Sequence, residues 1–129
     1  RVRALLDTSV LIGVERGRLA SVEVESVAVA AMTIGELAIG AAAATDPDEY
    51  GIRRHTVLRA CEAFDVRAFT TDVALVFGEV VGRMRRTGRR PSVPDAVIAA
   101  TAIAEGMTLV TQDRGFLAFA EHGLDVILV

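Results

Sequence analysis

The sequence predicts an α/β fold in which a central, mostly parallel sheet lies between layers of helices. Short apolar segments of strand length alternate along the chain with longer segments of helical pattern. These short segments, such as residues 2–6, are apolar on both sides, which is typical of strands that are covered on both faces. Because 52% of the 129 residues are hydrophobic, we expect one domain, residues 1–129, with a buried core.

Two helix starts are recognisable in the first half of the chain. The segment from Thr33 to Glu36 matches a capping box, in which a threonine and a glutamate three residues later satisfy the first amides of a helix. Asp46 before Pro47 is a typical cap followed by proline at the first helical position. The predicted elements are a strand from Val2 to Leu6, a helix from Ser9 to about Arg16 ending near Gly17, a strand from Ala28 to Met32, a helix from Thr33 to about Ala44, and a helix from Asp46 to about Phe64.

Glycine and proline mark the helix ends in the second half. We expect Asp72 to cap a helix that Gly88 ends, and Pro94 to begin a helix that Gly106 ends. The predicted elements are a strand from Val66 to Phe69, a helix from Asp72 to Thr87, a helix from Pro94 to Glu105, a strand from Leu109 to Thr111, a short helix from Arg114 to His122, and a strand from Asp125 to Val129.

Four acidic residues occupy corresponding positions along this pattern. Asp7 and Asp113 follow predicted strands, Glu36 comes shortly after another, and Asp95 opens a helix. Because the carboxyl ends of parallel strands face one crevice, we expect the four side chains to share a pocket. Two unit charges ~5 Å apart at an effective dielectric of ~20 repel each other by about 3 kcal/mol. Such a cluster needs a cation, and Mg²⁺ or Mn²⁺ is the usual partner of an all-oxygen site.

Each acid also has a purely structural explanation. Asp7 can cap the helix that follows it, and Glu36 can complete the capping box. Asp95 suits the positive end of the helix dipole, and Asp113 can be a loop acid or a cap. The joint placement of the four favours a shared site. If they form a self-repelling site, Asp7→Asn and Asp95→Asn should each leave the fold intact.

All 14 basic residues are arginine, so the chain offers no lysine to any mechanism. The one dense basic run is either a solvated helix end or a strip that contacts phosphates beside the acidic pocket. This run consists of Arg83, Arg85, Arg86, Arg89 and Arg90.

Cys61 is the single cysteine and cannot form an internal disulfide, which suits a reducing compartment. No apolar run reaches the roughly 18–20 residues that span a bilayer, and no secretory leader precedes the first strand. We therefore expect a cytoplasmic protein without membrane contact.

The segments LLDTSVLIG, TIGELAIGA and PDAVIAATAIAEGMTLVTQD, with the following GF, resemble the PIN-domain ribonucleases, and in particular the VapC-type toxins of bacterial toxin–antitoxin pairs. The resemblance covers nearly the whole chain, in order. It implies a three-layer α/β sandwich, an acidic pocket for Mg²⁺ or Mn²⁺, and hydrolysis of tRNA, rRNA or mRNA. It also implies a cognate VapB-like antitoxin, and we expect a homodimer.

Matched position by position, the resemblance implies catalytic and metal-binding roles for Asp7, Glu36, Asp95 and Asp113, and supporting roles for Thr8 and Thr111. RNA contacts are expected at Arg85, Arg86, Arg89 and Arg90. Many relatives carry a further acid where this chain has Gly115, which leaves Asp113 as the only candidate in that segment.

Three alternatives stay open. A receiver domain or an aspartate-based phosphatase also has an aspartate after its first strand, but both use a lysine, and the phosphatase pattern has a second aspartate where this chain has Ser9. A dinucleotide-binding fold is weaker because no G-x-G-x-x-G follows the first strand. The third alternative is a non-catalytic RNA- or protein-binding module whose acids are caps.

Overall fold

The structure, a computed structural model, describes residues 1–14 and 22–129 and confirms the three-layer α/β architecture. In chain order the elements are β1 (Val2–Leu6), α1 (Thr8–Val14), β2 (Val24–Ala30), α2 (Ala31–Ala43), α3 (Pro47–Ala63), β3 (Asp65–Arg67), α4 (Thr71–Arg86), α5 (Val93–Glu105), β4 (Thr108–Thr111), a 3₁₀ helix (Arg114–His122) and β5 (Asp125–Leu128). In the described ranges, no helix has the length and apolar character needed to cross a bilayer.

The five strands form one sheet in the order β3-β2-β1-β4-β5, and every pairing is parallel. At the centre, Leu5 of β1 pairs with Ala28 of β2 on one side and with Leu109 of β4 on the other. From β1 at the centre, β2 and β3 follow toward one edge of the sheet, and β4 and β5 then follow toward the other edge. The boundary between β1 and β4 is therefore the topological switch point, where α/β folds bind their ligands.

Successive strand residues face opposite sides of the sheet, as the pleat requires. Leu5, Ala28 and Leu109 belong to one core, which includes buried side chains of α4, α5 and the 3₁₀ helix. Leu6 and Val29 belong to a second core on the other face, with Val10 and Leu11 of α1 and partly buried residues of α2. These strand residues are all buried, which explains why residues 4–6 and 28–30 are uninterrupted apolar runs in the sequence.

The predicted capping box at Thr33 is wrong. Helix α2 begins at Ala31 behind Ala30, which makes no side-chain capping bond. Thr33 therefore lies inside the first turn, fully buried, and its Oγ1 has no hydrogen-bond partner among the described residues. Glu36 is one turn further along and is not needed to start the helix.

The second strand also differs from its prediction. It covers Val24–Ala30 rather than residues 28–32, because pairing with β1 begins where Val2 meets Val24. The exposed polar residues Glu25 and Ser26 interrupt the apolar pattern and hide this part of the strand in the sequence. Likewise, β3 covers Asp65–Arg67 rather than residues 66–69, since its partners in β2 are Ala28 to Ala30.

Helix α4 is capped by Thr70 rather than by Asp72. The Thr70 side chain accepts a hydrogen bond from the Val73 amide, while Asp72 lies in the first turn, where a negative charge suits the helix dipole. The predicted start of α5 at Pro94 is one residue late, because the helix begins at Val93 behind the capping residue Ser92. The predicted cap of α3 is confirmed. Asp46 accepts from the Glu49 amide to cap α3.

Two helix ends depend on glycine, as predicted. Gly88 after α4 has φ of 80°, and Gly106 after α5 has φ of 64°, values that residues with a Cβ rarely adopt. The predicted end of α1 near Gly17 lies outside the described residues.

The two threonines give a matched test of these helix starts. Thr33→Val should leave the free energy of unfolding unchanged or raise it by up to about 1 kcal/mol, because valine removes a buried hydroxyl that lacks a partner. Thr70→Val should lower it by about 1 kcal/mol, because a working cap is lost. Urea denaturation measures both values. An equal loss in the two variants would restore the capping role of Thr33.

Candidate active site

Asp7 lies at the switch point, directly after β1, with only 6% of its surface exposed. Its amide donates to the carbonyl of Val110 in β4 at 3.1 Å, which continues the sheet pairing by one residue. Its carboxylate accepts three hydrogen bonds: from the Thr8 amide to Oδ1 at 2.7 Å, from Ser9 Oγ to Oδ2 at 3.1 Å, and from Thr111 Oγ1 to Oδ2 at 2.8 Å. The buried charge is therefore compensated by three hydrogen bonds, which hold the carboxylate in one orientation.

Thr8 and Thr111, the predicted supporting residues, both lie beside Asp7. The Thr111 hydroxyl is buried and links Asp7 to the loop after β4, because it also accepts from the Asp113 amide at 2.9 Å. Thr8 supplies its amide, whereas its buried Oγ1 has no partner among the described residues.

Asp113 is exposed and caps the 3₁₀ helix, since its Oδ1 accepts from the Gly115 amide at 2.8 Å. This fits the cap interpretation of the residue without excluding a second role for Oδ2. Gly115 leaves room for this capping bond, because a Cβ there would lie 3.0 Å from Asp113 Oδ1.

Glu36 is half-buried on α2. Burial raises the pKa of its carboxyl, and the negative charges of Asp7 and Asp95 raise it further. The side chain is therefore close enough to both aspartates to respond to their charge.

Asp95 is the third residue of α5, and its amide donates to the capping hydroxyl of Ser92 at 3.3 Å. Burial raises the pKa of the Asp95 carboxyl, the Ser92 hydroxyl opposes this rise, and the charges of Asp113 and Asp7 add to it. Asp95 therefore lies in the first turn of the helix, where an acid is common, while its ionised form is destabilised by its acidic neighbours.

Together these interactions link the four predicted acids into one electrostatic group. Within residues 1–14 and 22–129, none of the four forms a salt bridge with a basic side chain. In the same ranges, no three acidic, histidine or cysteine side chains form a ready-made metal cage. The four carboxylates are thus more widely spaced than the ligands of a formed coordination shell. Such spacing is expected because like charges that no cation neutralises repel each other. Its donors are all carboxylate oxygens, which fit a hard divalent cation.

The predicted arginine strip is at the end of α4 and in the loop after it, and all its side chains are exposed. Arg83 pairs with Glu79 at 2.7 Å and Arg89 pairs with Glu121 at 2.9 Å. The structure records no ion pair for Arg85, Arg86 or Arg90 among the described residues. Surface pairs contribute little, so both kinds of arginine are available to a polyanion.

Two polar residues of the site were missed in the sequence. Ser92 stands three residues before Asp95, which is the capping-box spacing and was a usable signal. Ser9 stands where a phosphatase would carry a second aspartate, and its hydroxyl bonds both Asp7 and the Gln112 amide. Residues 9 and 112 are far apart in sequence, and no local pattern indicates their contact.

The hydrogen bonds to Asp7 argue against the expectation that Asp7→Asn leaves the fold intact. An amide at this position cannot accept all three hydrogen bonds as a carboxylate does. Loss of a buried charge-assisted bond costs about 1–3 kcal/mol. The expectation stays for Asp95→Asn, and the same reasoning extends to Glu36, because burial and like charges make the ionisation of both side chains less favourable in the fold.

Comparison with known proteins agrees with this geometry. The PIN domain family model matches residues 4–122, so the chain belongs to the PIN-domain family. Among its relatives, Ribonuclease VapC4 of Mycobacterium tuberculosis is 32% identical over 121 residues, which cover 92% of each chain. Ribonuclease VapC5 of the same organism is 30% identical over 116 residues, covering 88% of this chain and 85% of the relative.

Solved structures share the fold of this chain. The VapBC-5 toxin–antitoxin structure from Mycobacterium tuberculosis superposes with a TM-score of 0.87 at 26% identity, over 100% of both chains. FitAcB from Neisseria gonorrhoeae matches in fold with a TM-score of 0.79 at 24% identity, over 96% of both chains. The predicted resemblance is confirmed, and the receiver-domain and phosphatase alternatives are set aside.

The raised pKa values predict a stability gain from neutralising Glu36 or Asp95. A carboxyl whose pKa is higher in the folded than in the unfolded state loses stability as pH rises through the folded value. Glu36→Gln and Asp95→Asn should therefore raise the melting temperature of the metal-free protein at pH 7, and this gain should shrink as the pH falls toward about 4.

Thermal unfolding monitored by circular dichroism across this pH range tests the prediction. Glu62→Gln, at an exposed acid of α3 outside the group, is the matched control and should change little. Lower melting temperatures in both site variants at pH 7 would mean that Glu36 and Asp95 are structural caps.

Proposed function

We propose that this protein is a Mg²⁺- or Mn²⁺-dependent endoribonuclease that acts as the toxin of a toxin–antitoxin pair. The observation that carries the proposal is the group of four carboxylates from separate segments, whose charges raise the pKa of Glu36 and Asp95. Relatives named Ribonuclease VapC support the choice of RNA as substrate. A toxin that cleaves RNA acts where its host keeps its RNA, so we place its action in the cytoplasm.

In this proposal Asp7 and Asp95 hold the cation, while Glu36 and Asp113 complete its shell, hold a second ion or orient the attacking water. A bound divalent cation supplies Lewis-acid polarisation of the phosphodiester and lowers the pKa of water. Asp7 is suited to its role because three hydrogen bonds fix its carboxylate. Asp113 has Oδ2 to offer, since its Oδ1 is used by the Gly115 amide.

Glu36 is best suited to accept a proton from water. Burial and the charges of Asp7 and Asp95 raise the pKa of its carboxyl, which makes it a stronger base than an ordinary carboxylate. The water oxygen forms a bond to phosphorus, its proton passes to Glu36, and the bond from phosphorus to the leaving ribose oxygen breaks. The leaving oxygen then takes a proton from solvent.

The arginine run supplies the charge that an RNA backbone needs. Arg85, Arg86 and Arg90 are exposed, and Arg89 is held only by a surface ion pair that a phosphate can replace. The run ends shortly before α5, whose first turn carries Asp95. We expect it to bind phosphates of an RNA whose reactive nucleotides lie in a single-stranded loop.

A non-catalytic binding module is the competing proposal. The capping bond of Asp113 and the helix-start position of Asp95 favour it, since both acids have a structural use. Metal binding separates the two proposals: a four-acid site binds Mn²⁺, whereas a set of independent caps does not.

Cleavage should depend on both the cation and the acids. Purified protein incubated with total RNA should cut it with Mg²⁺ or Mn²⁺ and stop when a chelator is added, with cut ends mapped by sequencing. Asp95→Asn should lower the cleavage rate by at least about 100-fold, because a ligand charge is lost, without a loss of melting temperature. Cleavage that continues in the chelator would contradict the proposal.

We also propose an antitoxin that binds beside the acidic group. A cavity of about 230 Å³ opens between α1, α2 and α3, and its lining is mainly apolar: Leu11, Leu37, Thr56, Arg59, Ala60, Ala63 and Phe64. The sequence offers Leu11, Ile12, Leu37 and Ile39 as apolar contacts for the antitoxin. Leu11 and Leu37 line this cavity, Ile39 is 70% exposed on α2, and the side chain of Ile12 lies outside the described residues. The cavity suits an apolar side chain of a partner segment that folds on binding. The expected homodimer stays a prediction.

Filling the cavity should leave the protein toxic but prevent its inhibition by the antitoxin. Ala63→Trp places an indole where the partner side chain would enter, so co-expression of the antitoxin should no longer relieve growth arrest by this variant. Leu58→Trp, at an exposed position of α3 outside the cavity lining, is the control and should remain suppressible. Equal suppression of both variants would place the antitoxin elsewhere.

A further inference from the structure

Ser9 makes two hydrogen bonds that join separate parts of the site. Its Oγ lies 3.1 Å from the Gln112 amide nitrogen and 3.1 Å from Asp7 Oδ2. A backbone N–H can only donate, so the serine oxygen accepts from Gln112, and its own proton is directed to Asp7. The side chain thus connects the turn after β1 with the loop after β4.

Thr111 makes a second connection of the same kind. Its Oγ1 accepts from the Asp113 amide at 2.9 Å and donates to Asp7 Oδ2 at 2.8 Å. Two consecutive amides, those of residues 112 and 113, therefore reach one carboxylate oxygen through two hydroxyls. In such chains each hydrogen bond polarises the next, which strengthens the set.

The two connections give the two carboxylate oxygens of Asp7 different numbers of hydrogen bonds. Each carboxylate oxygen has about two acceptor positions. Oδ2 accepts from both hydroxyls and is saturated, whereas Oδ1 accepts, among the described residues, only from the Thr8 amide at 2.7 Å. Oδ1 is therefore the oxygen with a lone pair to spare for a cation.

We infer that Ser9 is a positioning residue that, together with Thr111, saturates Oδ2 of Asp7 and so presents Oδ1 alone as a single-oxygen ligand. The inference rests on the proposed function, because it concerns the same cation. Ser9 lies in the first turn of α1, yet its hydroxyl bonds the Gln112 amide across the sheet rather than an amide of its own helix. Helix capping therefore does not account for it.

Three variants test the inference. Ser9→Ala removes the hydroxyl, and Ser9→Thr retains it as the conservative rescue. Thr108→Ala is the matched control, since it removes a hydroxyl–carboxylate bond of 2.7 Å to Asp125 at the other end of β4, outside the acidic group. Calorimetric titration with Mn²⁺ measures the affinity, and NMR hydrogen exchange of the Gln112 amide in metal-free protein reports the connection itself.

Ser9→Ala should weaken Mn²⁺ binding by about 10-fold, the size typical of groups that orient a metal ligand. It should also speed exchange of the Gln112 amide and lower kcat more than it raises KM for RNA. Ser9→Thr should restore all three quantities. Thr108→Ala should leave Mn²⁺ affinity unchanged, which separates positioning from a general loss of stability.

The outcomes distinguish this inference from the proposed function. A wild-type protein that binds no Mn²⁺ overturns both. If the wild type binds Mn²⁺ and Ser9→Ala binds it equally well, the positioning role is refuted and the proposed function stands. An unchanged Gln112 exchange rate in Ser9→Ala would likewise refute the hydrogen-bonded connection.

Discussion

The buried carboxylate of Asp7 is the constraint on which the site depends. Burying a charge is costly unless hydrogen bonds replace the lost water. The donors to Asp7 come from two chain segments, with Ser9 after β1 and Thr111 at the end of β4. Satisfying this one charge therefore fixes the two loops at the switch point relative to each other, and with them the positions of Gln112 and Asp113.

The other acids are less well satisfied than Asp7. Glu36 and Asp95 have raised pKa values because they are partly buried beside like charges without a basic partner in the described chain. In the proposed function, this cost is offset when a cation binds, a common conflict between stability and function. One rigid carboxylate surrounded by acids that gain from neutralisation would suit the divalent ion of that proposal.

The sequence predicts most of this arrangement because the main signals are local. Apolar strands, the cap at Asp46 and the stops at Gly88 and Gly106 are found within a few residues. The failures have non-local causes. Helix α2 starts at Ala31 because β2 is placed by its neighbours in the sheet, and Thr33 is thereby carried into the buried first turn. The role of Ser9 depends on a contact across more than a hundred residues.

Gly115 connects the local and the non-local parts of the site. Without a side chain there, Asp113 turns back and caps its own 3₁₀ helix through Oδ1. Any Cβ at that position would lie 3.0 Å from this oxygen, so the carboxylate would have to shift by a few tenths of an ångström. Because the Asp113 amide is already fixed by Thr111, the glycine decides only the direction of the carboxylate. In the proposed function, one residue thus serves as a helix cap through Oδ1 and as an acid of the site through Oδ2.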